Sequence, residues 1–258
     1  MNEPNTPSLE PRFAQMLQIA RSIDGFMAET NVAVWDILLS FQTVQGVQGH
    51  LLEIGVYKGR SASVLCQHRR PDEELWLVDF SSFLEEARHN LALLHDGKAR
   101  FLPCKSSDLW RQPEFSAHRR GFRWIHIDGE HTGQAVTNDL ALAADLLSDE
   151  GLVCVDDFFN PAYPQISAAV FSWLAHRPFE FELVLCGENK AYLARPASAH
   201  RYFSMIRSDF ATELGRRGID HLTVFKTSPC GDFNGWGIQQ RRDHRNYYGL
   251  DSNPDQIC

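Results

Sequence analysis

The stretch His50–Ser61, HLLEIGVYKGRS, decides the fold of this chain. An apolar run leads into an acid, then into a turn that contains glycine, then into small residues that open a helix. A strand, tight turn and helix start of this kind is where open α/β sheets bind nucleotide-like cofactors. A second apolar run, 75–78, is followed by Asp79, and an acid at the end of the second strand is placed to hydrogen-bond ribose hydroxyls. Together the two features predict a cofactor site.

The residues of the turn indicate which cofactor it accepts. A dinucleotide-binding turn follows G-x-G-x-x-G, whose middle glycine lets the backbone approach a pyrophosphate. Here Tyr57 takes the place of that glycine, and the turn keeps only Gly55 and Gly59. A cofactor without phosphates tolerates such a turn better, and S-adenosylmethionine is one. Glu53, at the end of the first strand, suits a cofactor with a cationic amino acid end.

Composition limits the class of protein. The chain has 258 residues, of which 43% are hydrophobic and 22% charged, which is typical of one large α/β domain. Its net charge is -8, so no basic field favours nucleic acid. The six cysteines form no C-x-x-C pair, and no apolar run approaches the ~20 residues that span a bilayer. We therefore expect a soluble cytoplasmic protein with neither a nucleic-acid nor a membrane partner.

Strand and helix patterns alternate along the chain. They predict a doubly wound, mostly parallel α/β sheet of seven strands with an antiparallel edge hairpin. The predicted strands are 51–54, 75–79, 100–103, 122–128, 151–156, 179–186 and 190–194. The predicted helices are 13–45, 61–68, 83–94, 132–147, 166–176 and 199–214, and a further strand-like run covers 222–226.

The same patterns suggest three regions. Residues 1–12 are polar and broken by proline, and we expect them to be disordered. Residues 13–195 form the cofactor-binding domain, with a helical cover at its N-terminus. Residues 196–258 form an extension that we expect to pack on the same domain near the acceptor site. It carries basic residues that are usually part of a solvated face: Arg216, Arg217, Arg241, Arg242 and Arg245.

A second set of polar residues follows the fourth and fifth strands. Asp128 ends the fourth, and Asp156 and Asp157 end the fifth, at the carboxyl edge where open sheets place their chemistry. Carboxylates this close raise one another's pKa unless a cation compensates, and oxygen ligands favour Mg²⁺. A hydroxyl bound to Mg²⁺ loses its proton more readily. His131 is placed to accept that proton.

Each of these residues also has a purely structural interpretation. Gly55 and Gly59 would serve any tight strand-to-helix turn, and Asp79 alone would serve as a solvated acid. If the fifth strand continues through both acids that end it, their side chains point to opposite faces, and one is a helix cap or a surface residue. His126 alternates with other residues of its strand and is interpreted as a core histidine. His131 could cap the helix that follows it.

These motifs resemble a known family. EIGVYKGRS, the strand ending in Asp79, IHIDGEH and VDDF are similar to class I S-adenosylmethionine-dependent methyltransferases, whose fold is Rossmann-like. The resemblance is strongest to the small bacterial O-methyltransferases that modify antibiotic sugars, the macrocin and novobiocin-sugar type. It covers roughly residues 31–195. In place of the third-ligand asparagine of catechol-type enzymes, this chain has Asp157.

The resemblance implies roles for particular positions. The residues around the methionine part of the cofactor would be Glu53, Gly55, Tyr57, Gly59 and Ser61. Asp79 would hold the ribose, Ser106 would lie near the adenine, and Asp128 would also contact the cofactor. The metal ligands would be Asp128, Asp156 and Asp157. His131 and Asp128 would be the catalytic residues.

The sequence thus favours transfer of a methyl group from S-adenosylmethionine to a hydroxyl of a small molecule, a sugar or natural product, with help from Mg²⁺. Three alternatives stay open: a nicotinamide-dependent oxidoreductase, a cofactor-binding module without catalysis, and a hydroxylase-like protein of the same fold. Homodimers are common on such sheets, and the sequence leaves the oligomeric state open.

Overall fold

A computed structural model describes residues 10–112, 115, 117–227 and 232–240. In this part of the chain, nine strands form one sheet in the order β3-β2-β1-β4-β5-β7-β6-β9-β8. Neighbouring strands from β3 to β5 run parallel, and β7 and β8 run antiparallel to their neighbours. The strands are β1 His50–Ile54, β2 Leu75–Val78, β3 Ala99–Leu102, β4 Phe122–Ile127, β5 Leu147–Asp156, β6 Glu182–Gly187, β7 Lys190–Ala194, β8 Leu222–Lys226 and β9 Trp236–Gln240.

Helices cover both faces of the sheet. On one face pack α1 Pro11–Ser22, α2 Glu29–Val44, α3 Arg60–His68 and the helical segments Pro196–Met205, Ile206–Phe210 and Ala211–Arg216. On the other pack Gly133–Leu146 and Pro164–His176. The remaining helices are α4 Phe83–Asn90 and the short 3₁₀ helix Ser106–Arg111. Because both faces are covered, the parallel strands β2 and β4 are buried along their whole length, although β4 includes Arg123 and His126. The predicted α/β class is confirmed.

The turn after β1 brings the ends of two strands close together. Gly55 has φ +85°, and a Cβ atom added there would lie 1.8 Å from the carbonyl oxygen of Asp128. No residue with a side chain fits this position. Tyr57, two residues on, also has positive φ, at 49°. The motif therefore sets the spacing between the carboxyl ends of β1 and β4, where the candidate site lies.

The N-terminal cover differs from the prediction. Two helices, α1 and α2, replace the single helix expected over 13–45, and residues 23–28 break the pattern between them. α1 begins at Pro11, within the segment expected to be disordered, because proline suits the first turn of a helix. Residues 1–9 of that segment lie outside the described residues.

The sheet extends beyond the predicted edge. The hairpin of β6 and β7 forms as expected, but β9 pairs with β6 and β8 pairs with β9, so this hairpin is not the edge of the sheet. β9, WGIQQ, was not predicted because its short, partly polar sequence lacks a strand pattern. Arg241, Arg242 and Arg245 lie outside the described residues. No helix in the described ranges has the length and apolar character that crossing a membrane requires.

Candidate active site

A cavity of about 980 Å³ opens at the carboxyl ends of β1, β2, β4 and β5. The predicted site residues that line it are Gly55, Tyr57, Asp79, Ser106, Asp128, His131, Asp156 and Asp157. Glu53 and Gly59 do not line it, and Ser61 lines a much smaller pocket nearby. None of the described residues of the extension after 195 contributes to either wall. The described part of the extension therefore does not shape the acceptor site in the way we expected.

Asp79 holds the turn after β1 in place. Its Oδ2 accepts hydrogen bonds from the backbone N–H groups of Val56 and Tyr57, both at 2.9 Å. Its Oδ1 accepts from the N–H of Ser81 at 2.7 Å. Asp79 thus lines the cavity and also joins the end of β2 to the turn after β1, which we call the cofactor turn. Its substitution would therefore disturb that turn as well as any contact with a ribose.

Glu53 has a different position from the one expected. Its side chain is fully buried, and its Oε1 lies 2.7 Å from Nδ1 of His126. The two residues are direct partners across β1 and β4, so both side chains lie on the same face of the sheet, beneath the cavity. This geometry argues against direct contact of Glu53 with the amino acid end of a cofactor. Gly59 also lies outside the cavity wall. It is the N-cap of α3, has φ +92° and packs against Leu91.

The three predicted metal ligands do not form a single cluster. Asp128, His131 and Asp157 form one group, in which His131 Nε2 lies 3.4 Å from Asp128 Oδ1 and 3.2 Å from Asp157 Oδ2. Asp156 belongs to a second group with His126 and Asp128. In each group one ligand atom per residue lies within 4.8 Å of the others. Asp128 is shared, which corrects the expectation that all three carboxylates converge.

The backbone explains this separation. β5 ends at Asp156, and the chain turns at Asp157, whose φ is +54°. The two neighbouring side chains consequently face different groups. The sequence left open whether they point in the same direction, and in the structure they do not. Asn160 and Asn189 each donate a hydrogen bond to Oδ1 of Asp157, at 2.7 Å. These donors hold the carboxylate in the wall of the cavity.

Sequence reasoning missed Lys190, which lines the cavity and forms an ion pair with Asp156. Its position directly opposite Asp156 in the β5–β7 register explains this contact. The only sequence signal was a lysine at the start of an otherwise apolar strand. His126 was interpreted as a core histidine, and it is buried, but its ring lies between Glu53 and Asp156.

Burial and charge shift the pKa values of the site. Burial raises the pKa of Asp128 to about 6, although a hydrogen bond to His131 opposes the shift. That hydrogen bond, together with the charges of Asp128 and Asp157, raises the pKa of His131 despite its partial burial. Burial disfavours the charged form of Asp156, but Lys190 and His126 outweigh it and hold the pKa of Asp156 well below its usual range. Asp156 is therefore held in its ionised form, whereas Asp128 is easier to protonate.

The remaining walls are polar on one side and aromatic on the other. Tyr163 stacks on His131, with ring centroids 4.4 Å apart. The turn between β6 and β7 reaches α2, where Asn31 donates to the backbone carbonyl of Glu188 at 3.0 Å. On the cofactor side, Tyr57 packs against Phe83, with centroids 4.6 Å apart. None of these three contacts was anticipated, because each joins elements that are distant in the chain or follow a turn.

Comparisons with known proteins bear on this geometry. Residues 52–158 match a family model described as a methyltransferase domain. No curated protein sequence matches the chain. Among solved structures, the O-methyltransferase NovP is 20% identical, with a TM-score of 0.53 over 65% of this chain and 80% of that one. The S-adenosylhomocysteine-bound methyltransferase PaMTH1 of Podospora anserina is 14% identical, with a TM-score of 0.56 over 74% and 90% of the two chains.

A third structure, an O-methyltransferase from Bacillus cereus in complex with S-adenosylhomocysteine, is 17% identical, with a TM-score of 0.51 over 72% of this chain and 90% of that one. At these identities the structures show the fold, and the family model covers the strands that build the cavity. The resemblance stated from the motifs is confirmed. Residues 52–158 thus match a methyltransferase domain, and the fold around them is that of the methyltransferase structures named above.

Proposed function

We propose that this protein transfers the methyl group of S-adenosylmethionine to a hydroxyl of a small molecule, a sugar or natural product, with the assistance of a divalent cation such as Mg²⁺. One observation carries the proposal. A single cavity joins the Asp79-fixed cofactor turn to the Asp128, His131 and Asp157 group. A methyl donor and an acceptor can therefore meet within it.

The cofactor half of the cavity supports a donor without phosphates. The N–H groups of Val56 and Tyr57, which would face a pyrophosphate in a dinucleotide site, are both bound to Asp79. Glycine-rich turns bind phosphates through such free N–H groups. Their occupation by a carboxylate favours S-adenosylmethionine over a nicotinamide dinucleotide. Ser106 and Phe80 line the same half and would lie beside the adenine.

The acceptor half supports proton removal from a hydroxyl. His131 is half-buried, and the neighbouring carboxylates make its neutral imidazole a stronger base. Tyr163 fixes the ring plane by stacking. We assign His131 as the residue that accepts the hydroxyl proton, at the ring nitrogen that does not face Asp128, and Asp128 as the residue that orients the ring through Nε2. Transfer then depends on holding the acceptor oxygen in line with the methyl group and the sulfonium.

The donor set of this half fits a divalent cation. Asp128 and Asp157 each offer a carboxylate oxygen beside the nitrogen of His131. Carboxylates suit Mg²⁺, and a mixed oxygen and nitrogen set also suits Mn²⁺. A bound cation would lower the pKa of the acceptor hydroxyl. Asp128 and Asp157 would hold the cation, while His131 accepts the proton.

Calorimetric titration tests the proposal. Purified protein is titrated with S-adenosylhomocysteine, with and without Mg²⁺, and with NAD as the comparison. Micromolar binding of S-adenosylhomocysteine, without comparable binding of NAD, is expected. A preference for NAD, or no binding of S-adenosylhomocysteine, would contradict the proposal. An acceptor screen with radiolabelled methyl donor then follows, with His131→Ala as the inactive control.

A further inference from the structure

A row of alternating charges lies beneath the cavity. Its members are Glu53, His126, Asp156 and Lys190, and we call them the charge row. They come from the four neighbouring strands β1, β4, β5 and β7. The side chains of three are almost completely buried, and that of Asp156 is 18% exposed. With both cations protonated, the row is neutral as a unit.

The contacts along the row occupy both oxygens of Asp156. Lys190 Nζ forms an ion pair with Asp156 Oδ2, and His126 Nε2 lies 3.7 Å from the same oxygen. The other oxygen, Oδ1, accepts a hydrogen bond from the N–H of Asp157 at 2.7 Å. Glu53 completes the row by binding His126 at 2.7 Å. Asp156 therefore already has the cationic partners that a buried carboxylate needs.

The position of Lys190 is fixed from two directions. Cross-strand pairing places its backbone directly opposite Asp156. Above it, the Trp35 ring lies 5.8 Å from Nζ, and the same ring packs edge-on against His126 with centroids 4.6 Å apart. Trp35 is fully buried and shields this end of the row from water. The strand pairing and the Trp35 ring of α2 thus hold the ammonium group beside Asp156.

We propose that Lys190 is the internal counter-cation of Asp156, and that it keeps this carboxylate from binding a divalent cation at the neighbouring Asp128, His131 and Asp157 group. A metal ion that used Asp156 Oδ2 would have to displace a buried ammonium group or bear its repulsion. The inference rests on the cation proposed above. It implies that metal binding is weak and exchangeable, and that the cavity keeps its form without metal.

Mn²⁺ binding, measured by calorimetry and by the electron paramagnetic resonance of free Mn²⁺, tests this directly and needs no acceptor. Removal of the ammonium group in Lys190→Met should release Asp156 and raise the affinity for Mn²⁺ at least tenfold. In the double variant Lys190→Met/Asp156→Asn, both charges disappear together, and the affinity should return to within threefold of the parent protein. Lys98→Met, which removes an exposed lysine at the opposite edge of the sheet, should change it less than twofold.

Two results would overturn the inference. One is an unchanged Mn²⁺ affinity in Lys190→Met. The other is a loss of Mn²⁺ affinity of tenfold or more in the double variant, which would show that Asp156 binds the metal even when Lys190 is present. The charge-balanced double variant decides the question even if Lys190→Met fails to fold. S-adenosylhomocysteine is titrated into the same samples. Its failure to bind would refute the proposed function, and the Mn²⁺ comparison would stand by itself.

Discussion

The two halves of the cavity are built in different ways. On the side of β1 and β2, a carboxylate binds backbone N–H groups, and the residues involved lie within one short motif and the strand that follows it. On the side of β5 and β7, side chains bind side chains, and partners such as Asp156 and Lys190 are far apart in the chain. The first half therefore depends on chain geometry, and the second depends on charge balance. This difference predicts which substitutions should affect folding, cofactor binding or metal binding.

The largest effect is expected at the turn that joins the two halves. In Gly55→Ala, the new Cβ would overlap the carbonyl oxygen of Asp128, and φ +85° would also be unfavourable. We expect a loss of about 4 kcal/mol in the free energy of unfolding, measured by urea denaturation. Gly46→Ala is the matched control, because Gly46 has φ +69° but open space around it. Its loss should be about 1 kcal/mol, and equal losses in the two variants would refute the close approach.

Glu53→Gln tests whether Glu53 contacts the cofactor, as the motif suggests, or serves as the buried partner of His126, as the structure shows. Because Glu53 pairs with His126 beneath the cavity, its neutralisation leaves a buried cation with one partner fewer. We expect a loss of about 3 kcal/mol in the free energy of unfolding. The affinity of folded protein for S-adenosylhomocysteine should stay within threefold of the parent value. A large loss of affinity without a loss of stability would restore the direct cofactor contact that the motif alone suggests.

Asp79→Ala is the counterpart on the cofactor side. The substitution removes the acceptor for the N–H groups of Val56 and Tyr57, and any ribose contact with it. We expect binding of S-adenosylhomocysteine to weaken by about 1–3 kcal/mol in calorimetry. Asp79→Asn keeps one acceptor oxygen and should lose less. If neither variant changes the affinity, Asp79 does not belong to the cofactor site.

The contrast between the halves also explains what the sequence could predict. The alternation of strands and helices, the Gly55 turn and Asp79 were all accessible, because each is a local pattern with a fixed structural meaning. The sequence left open whether Asp156 and Asp157 face the same group, since the answer depends on a backbone turn at Asp157 that has no sequence signature. Lys190 and the true partner of Glu53 depend on the strand register between β1, β4, β5 and β7. Register joins distant residues, and a single sequence does not encode it in any local pattern.

A third kind of contact lies at the amino ends of the parallel strands, opposite the cavity. Here a buried ion pair has only a structural role. Arg123 Nε binds Glu73 Oε1 at 2.7 Å, and both side chains are almost completely buried. Burial disfavours ionised Glu73, but Arg123 and Arg70 outweigh it and lower the pKa of this carboxyl group. Arg123 also binds Gln42, so the pair ties β4 to α2.

This ion pair should make the stability of the fold depend on acidity, with the smallest effect of those predicted. A lowered pKa in the folded state means that the unfolded chain binds more protons, so stability falls as the pH falls. The contribution of Glu73 is complete above its ordinary pKa of 4.5 and is lost as the pH drops toward the lower folded value. We expect the stability lost between pH 6 and pH 3 to be larger in the parent protein than in a protein without this carboxyl group. Urea denaturation of the parent and Glu73→Gln proteins across this range gives the difference. If the free energy of unfolding falls with pH equally in both proteins, Glu73 contributes nothing. A steeper fall in the parent protein would show that the Arg123–Glu73 ion pair, at the amino ends of the strands and away from the candidate active site, depends on pH.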